Sequence, residues 1–154
     1  MLCDMSKIKF QNNLQDIFAE YFAQTGLNVN SFSSKFNLSE SKIYYWLNGT
    51  YLPTIKNYII LADIFQCSVD YLIGITENRA YVKSENPVPF LVRFEQLMQE
   101  KGCTKYSLAK ECRIGNSAVS KWSKGKIPNT ENMVNLAEYF GCSVDYLTGR
   151  SDIR

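Results

Sequence analysis

The sequence has no histidine, and none of its five cysteines stands in a Cys-x-x-Cys pair. Zinc sites and histidine-based catalytic sites are therefore not expected, because the first need clustered Cys or His ligands and the second need a His base. The sequence also shows no glycine-rich phosphate-binding loop and no pattern typical of a paired-carboxylate cleft. We expect a protein that is not an enzyme and that has no bound metal and no cofactor.

Long apolar runs are missing as well. Even a run as long as any in the chain, Tyr58 to Ala62, is much shorter than the roughly 20 apolar residues that a membrane-spanning helix needs. Residues 1–5 contain no basic stretch followed by an apolar block, so we expect no secretion signal, no membrane partner and a cytoplasmic location. In that reducing compartment the cysteines are expected to be small apolar core residues: Cys3, Cys67, Cys103, Cys112 and Cys142.

The sequence does contain an internal repeat. The hexapeptide Cys-Ser-Val-Asp-Tyr-Leu occurs at 67–72 and again, unchanged, at 142–147. Upstream of Pro53 and its counterpart Pro128 the offset grows by one residue, which a single insertion within 50–52 explains. Two copies of about 65 residues are too few for a solenoid and predict two tandem domains. We predict a first domain at 1–78, a linker at 79–89 and a second domain at 90–154.

Each copy is predicted to form five short helices, so the predicted fold class is all-α. Apolar spacing in the first copy predicts helices over 12–25, 29–36, 39–48, 54–66 and 68–73. In the second copy it predicts helices over 90–100, 105–112, 116–124, a segment introduced by Pro128-Asn129 that runs to about 140, and 143–147. Gly102 and Gly125 are predicted C-caps, Ser143 a predicted N-cap, and Trp46 and Trp122 predicted core residues. The linker is polar and contains two prolines, which favour an extended spacer.

One segment of the second copy carries a recognisable motif. From Thr104 to Pro128 its marker residues are Leu108-Ala109, Ile114, Val119, Trp122 and Gly125, followed by Leu136-Ala137 and the repeated segment 143–147. This pattern resembles the lambda-repressor-like, Cro/CI-type helix-turn-helix proteins of the XRE family. The resemblance covers about 65 residues in each half of the chain. It implies two tandem five-helix DNA-binding domains and a bacterial transcriptional regulator, most often a repressor.

The resemblance also implies which side chains contact DNA. The helix predicted at 116–124 would enter the major groove, where Asn can pair with adenine and Lys with guanine. The base-reading candidates are Asn116, Ser117, Ser120 and Lys121, of which Ser120 is chosen because it faces outward on the predicted helix. The phosphate-binding candidates are Lys105, Lys124 and Lys126. An ordinary solvated face is the alternative interpretation of these lysines.

The first copy departs from this pattern. Glu40 replaces Asn116 and Tyr45 replaces Lys121, and all three phosphate-binding lysines give way to Val29, Asn48 and Thr50. Residues 1–76 carry five basic and six acidic residues, whereas residues 86–154 carry ten basic and seven acidic ones. We predict that the first domain binds DNA weakly or serves another partner. The alternative is a different half-site that suits its own candidates: Glu40, Ser41, Tyr44 and Tyr45.

These features together predict a sequence-specific, double-stranded-DNA-binding regulator of transcription. A homodimer is a plausible form, because palindromic operators match two-fold protein symmetry. A tyrosine-rich surface of the first domain is the candidate protein interface, comprising Tyr44, Tyr45, Tyr51 and Tyr58. The rival hypothesis is a protein-interaction module, such as an antitoxin with a helix-turn-helix fold, whose first domain holds the partner.

Overall fold

This computed structural model describes the backbone of residues 5–154 and the side chains from residue 13 onward. The chain divides into two compact units, residues 1–80 and 81–154. Within the described residues all regular structure is helical, apart from an isolated antiparallel bridge between Lys83 and Ser151. The predicted all-α class is confirmed. Cys3 lies outside the described residues, and so do most of the N-terminal residues used to judge a secretion signal.

The first unit contains five helices in its described part: α1 (Met5–Thr25), α2 (Val29–Phe36), α3 (Glu40–Leu47), α4 (Ile55–Phe65) and α5 (Val69–Ile73). The prediction for α2 is confirmed residue for residue, and those for α3 to α5 are confirmed to within one residue at each end. The predicted start of α1 at Asn12 is wrong, because the helix already begins at Met5. Residues 5–11 contain no glycine or proline, so nothing in the chain breaks the helix there.

Aromatic residues fill the core of the first unit. Phe18 is 1% exposed, and its ring meets those of Phe32 and Phe65 edge-on at centroid distances of 5.2 and 5.1 Å. Tyr58 is completely buried, so its assignment to an exposed tyrosine surface is wrong. On α4, Tyr58 lies one turn from Leu61 and therefore on the same inward face. Its hydroxyl has no hydrogen-bond partner among the described residues, and burial raises the pKa of this phenol.

The second unit contains five helices as well: α6 (Phe90–Lys101), α7 (Lys105–Glu111), α8 (Asn116–Trp122), α9 (Thr130–Phe140) and α10 (Val144–Leu147). The predicted end of α8 at Lys124 is wrong by two residues. Ser123 is the C-cap, and its hydroxyl donates to the carbonyl of Val119 at 3.0 Å. Gly125, the predicted cap, lies beyond it at φ +90° and closes the tightened turn, where its N–H donates to the carbonyl of Trp122.

Polar side chains fix where the helices begin. Thr104 caps α7 in a reciprocal capping box with Ser107, as Asn28 does with Ser31 at the start of α2. Ser143 accepts a hydrogen bond from the N–H of Tyr146, which confirms it as the N-cap of α10. Caps of the same kind therefore mark the starts of α2 and α7 in the two units.

Both tryptophans are core residues, as predicted. Trp46 and Trp122 are each 4% exposed. In the second unit the rings of Trp122 and Phe140 both stand edge-on to Phe94, at centroid distances of 6.5 and 6.1 Å. Trp122 therefore ties α8 to α6, and this contact fixes which face of α8 points away from the core.

The residues predicted to form the linker are divided between the two units. Arg79 belongs to the first, where it forms an ion pair with Glu20 at 2.8 Å. From Tyr81 onward the segment packs on the second unit, and the Tyr81 ring lies 3.9 Å from the guanidinium of Arg150. Arg150 forms a buried ion pair with Asp145 at 2.5 Å. We name residues 81–88 the arm of the second unit.

Candidate nucleic-acid interface

The α7–turn–α8 segment is held together from its inner side. Helices α7 and α8 pack against each other, and both Leu108 and Val119 are completely buried. In the turn Arg113 adopts a left-handed conformation at φ +55°, and the N–H of Ile114 donates to the carbonyl of Ala109 at 2.9 Å. This hydrogen bond closes a tight turn between α7 and α8. It fixes the direction in which α8 leaves α7.

The outward face of α8 is polar. Val119 and Trp122 lie in the core, so the residues between and before them point to solvent. All four predicted base-reading side chains are exposed: Asn116, Ser117, Ser120 and Lys121. This arrangement agrees with the predicted phase of the helix, while the contact of these side chains with bases stays a prediction.

Positive charge surrounds this face. Lys105 opens α7, Lys124 and Lys126 follow α8, and all three are exposed. None of the ion pairs found in the described part of the chain involves these three lysines or Lys121. Residues 105–126 contain six basic residues and one acidic residue, whereas the matching segment 29–50 contains two and one. Cations without a protein partner are available to an anionic ligand.

The one acidic residue of this segment, Glu111, lies next to Tyr139 of α9. Burial is the main cause that raises the pKa of the Tyr139 phenol, and Cys103 and Glu111 contribute to it.

Burial also raises the pKa of the Cys112 thiol to about 11, so this cysteine stays protonated near neutral pH. Of the described cysteines Cys67 is buried, whereas Cys103, Cys112 and Cys142 are half-buried, which is less than a core position implies.

The matching face of the first unit differs in both charge and contacts. Glu40 is half-buried and accepts a hydrogen bond from the amide of Asn30 on α2 at 3.0 Å. Ser41 is exposed, and Tyr44 and Tyr45 are 47% and 40% exposed. The Tyr45 ring meets that of Tyr51 edge-on at 4.8 Å. This face therefore presents a carboxylate and tyrosines where the second unit presents an amide and a lysine.

Three further exposed side chains near the candidate interface were not predicted from the sequence as candidate site residues. Tyr106 is 68% exposed, and Lys110 follows it by one helical turn on the outside of α7. Arg113 is exposed in the turn before α8. Their spacing of four and then three residues was a usable signal, because such residues share one helix face.

Metal sites and membrane-spanning helices are two other features to consider in the described residues. In that part of the chain no group of three or more Cys, Asp or Glu side chains is arranged to hold a metal ion. No helix there has both the length and the apolar character needed to cross a membrane.

Comparison with known proteins places a family match on the second unit. Residues 94–147, about a third of the chain, match the family described as helix-turn-helix. The HTH-type transcriptional activator BcrR of Enterococcus faecalis is 29% identical over 65 residues, which cover 42% of this chain and 32% of that protein. The chain thus spans about a third of the length of this curated relative. No solved structure matches the chain. The segment from Phe94 in α6 to the end of α10 is therefore similar to a helix-turn-helix domain.

Proposed function

We propose that the chain is a sequence-specific regulator of transcription that binds double-stranded DNA through α8. The observation that carries this proposal is the exposed polar face of α8 within the segment that matches the helix-turn-helix family, bordered by lysines that form no ion pair with any described residue. We propose no catalytic step. Such a regulator would act where the chromosome lies, in the cytoplasm of a bacterial cell.

The dimensions of α8 suit a DNA groove. An α-helix with its side chains is about 10–12 Å across, and the major groove is about 12 Å wide, so the seven-residue α8 can enter it. Asn116 stands at the start of α8, where it can donate to and accept from one adenine edge, and Lys121 can donate to guanine. Specificity would come from these side chains, with Ser117 and Ser120 contacting a base or a phosphate.

Affinity would come from the surrounding lysines. Each phosphate contact releases a condensed cation, so the slope of log K against log salt steepens by about 0.9 for each contact. Lys105 at the start of α7 and Lys124 and Lys126 after α8 are the side chains that we assign to phosphates.

Salt-dependent binding of the full chain to duplex DNA tests this assignment. We expect Lys124→Ala with Lys126→Ala to flatten the slope by about 1.8, while selection among duplex sequences is retained. The matched control is Lys56→Ala, which removes an exposed lysine from α4 of the first unit. An unchanged slope in the double variant, or an equal flattening of the slope in the control, would show that these lysines do not contact phosphates.

We propose that the first unit is a second, weaker helix-turn-helix domain. In support, its α2 and α3 recur in the same order as α7 and α8, and the same kind of capping box starts α2 and α7. Its outward face lacks the lysines, and the Glu40 carboxylate there would repel phosphate. When two DNA-binding domains share one chain, binding of the stronger domain raises the effective concentration of the weaker domain at a neighbouring half-site.

A second candidate function rests on the tyrosines of the first unit. Tyr44, Tyr45 and Tyr51 are exposed, and exposed aromatic groups are common at protein interfaces. They favour a protein partner for this unit, either a second copy in a homodimer or a protein that an antitoxin would neutralise. Tyr44→Ala with Tyr45→Ala would then abolish the association while leaving the salt slope of DNA binding intact.

We propose repression as the direction of regulation, since occupation of an operator blocks polymerase without any further contact. BcrR is named as an activator, so transcription in vitro from a template that carries the selected site decides the point. The expected result is fewer transcripts as the protein is added. More transcripts would show activation instead.

A further inference from the structure

Arg113 holds an unfavourable backbone conformation that its counterpart in the first unit holds with little strain. It lies at φ +55°, a region that L-residues with long side chains rarely adopt. The first unit uses Asn37 at the matching position, at φ +52°, and asparagine tolerates this region well. An arginine kept in a strained turn suggests that its side chain has a use outside the fold.

The side chain of Arg113 is available for such a use. It is exposed, and the ion pairs and side-chain hydrogen bonds found for the described residues do not include it. Lys110, one turn earlier on the outer face of α7, is likewise exposed. None of the ion pairs found among the described residues includes it. The matching residues of the first unit, Ser34 and Asn37, carry no charge. This pair of cations therefore belongs to the second unit alone.

The positions of Lys110 and Arg113 along the motif indicate which part of a DNA duplex they could contact. Arg113 comes three residues before α8 begins, and Lys124 and Lys126 come just after it ends. The two groups of cations therefore flank α8 along the chain, one before its N-terminus and one after its C-terminus. Cations at both ends of a groove-bound helix can meet phosphates on both strands that border the groove. A guanidinium is well suited to this, because it can donate two parallel hydrogen bonds to one phosphate.

We propose that Arg113 and Lys110 form a second phosphate-binding group at the N-terminal end of α8, opposite to the lysines at its C-terminal end. This inference rests on the proposed function, since it presupposes that α8 enters the groove. It extends the predicted contact surface along α7 and into the turn. The strained conformation of Arg113 is then the cost of placing its guanidinium beside the duplex.

The test compares folding and binding in full-chain variants. Arg113→Asn copies the first unit, so we expect the second unit to melt at the same or a higher temperature while the salt slope of DNA binding falls by about 0.9. Lys110→Gln should lower the slope by a similar amount. Arg113→Lys keeps the charge and should keep the slope. A residue with only a structural role would change stability and binding together.

Two results distinguish a failure of this inference from a failure of the proposed DNA-binding function. If the wild-type chain binds duplex DNA with a steep salt slope and Arg113→Asn leaves that slope unchanged, the second phosphate-binding group is wrong and the proposed function stands. If the wild-type chain shows no salt-dependent binding to duplex DNA, the proposed function fails and the inference fails with it. Lys56→Gln is the control for the loss of one positive charge and should change neither slope nor melting.

Discussion

Replacing Gly149 with alanine should unfold the second unit far more readily than the same change at Gly141. Both glycines are left-handed, at φ +74° and +64°, so alanine costs about 1–2 kcal/mol at either position through backbone strain alone. At Gly141 an added Cβ meets no atom within 4 Å. At Gly149 it would overlap the carbonyl oxygen of Val88, a backbone atom of the arm.

The overlap sets the size of the difference. Because the obstacle is backbone, the arm itself must move, and overpacking of this kind costs about 1–3 kcal/mol. Movement of the arm also disturbs the hydrogen bond from the N–H of Ser84 to the carbonyl of Arg150 and the contact of Tyr81 with Arg150. We therefore expect Gly149→Ala to lower the free energy of unfolding by about 2–5 kcal/mol, against about 1–2 kcal/mol for Gly141→Ala.

Urea denaturation followed by tryptophan fluorescence measures this difference. The chain has two tryptophans, so in a Trp46→Phe background Trp122 reports on the second unit alone. Equal losses for the two alanine variants would show that the arm does not rest on Gly149. The packing of residues 81–88 on the second unit would then be refuted.

Three further outcomes follow from buried side chains. Tyr58→Phe should raise the free energy of unfolding of the first unit by about 1 kcal/mol, because it removes a buried hydroxyl that has no hydrogen-bond partner among the described residues; a loss of stability in calorimetry would show that the hydroxyl is hydrogen-bonded. Trp122→Ala should cost the second unit about 3–5 kcal/mol through the cavity that it leaves, and near-normal melting would contradict the packing of α8. Cys112, whose pKa is raised to about 11 by burial, should react slowly with iodoacetamide at pH 8; labelling as fast as in the unfolded chain, measured by mass spectrometry, would contradict its burial.

Features encoded by short-range signals could be predicted from the sequence. Caps such as Thr104 and Ser143 act on N–H groups two or three residues away, so they mark helix starts without any tertiary information. The helical spacing of Val119 and Trp122 likewise fixed the exposed face of α8 before the fold was known.

Features that depend on distant partners could not be predicted. The residues next to Gly149 give no sign that the Val88 backbone, far earlier in the chain, lies against it. The burial of Tyr58 was not predicted, because residue type alone does not distinguish an exposed tyrosine from a core tyrosine. Only the packing of α4 does so. The positive φ of Arg113 was not predicted, because arginine gives no local sign of a left-handed backbone.

Selection of bound duplexes from a random pool, with the wild-type chain and the Asn116→Ala variant side by side, tests the central claim most directly. The account predicts that the wild type enriches a defined site and that the variant loses preference at one base position, at a cost of about 1–3 kcal/mol on the wild-type site. Recovery of the same site with the same preference by both proteins would show that the exposed start of α8 does not read bases. Failure of the wild type to enrich any site would contradict sequence-specific DNA binding itself.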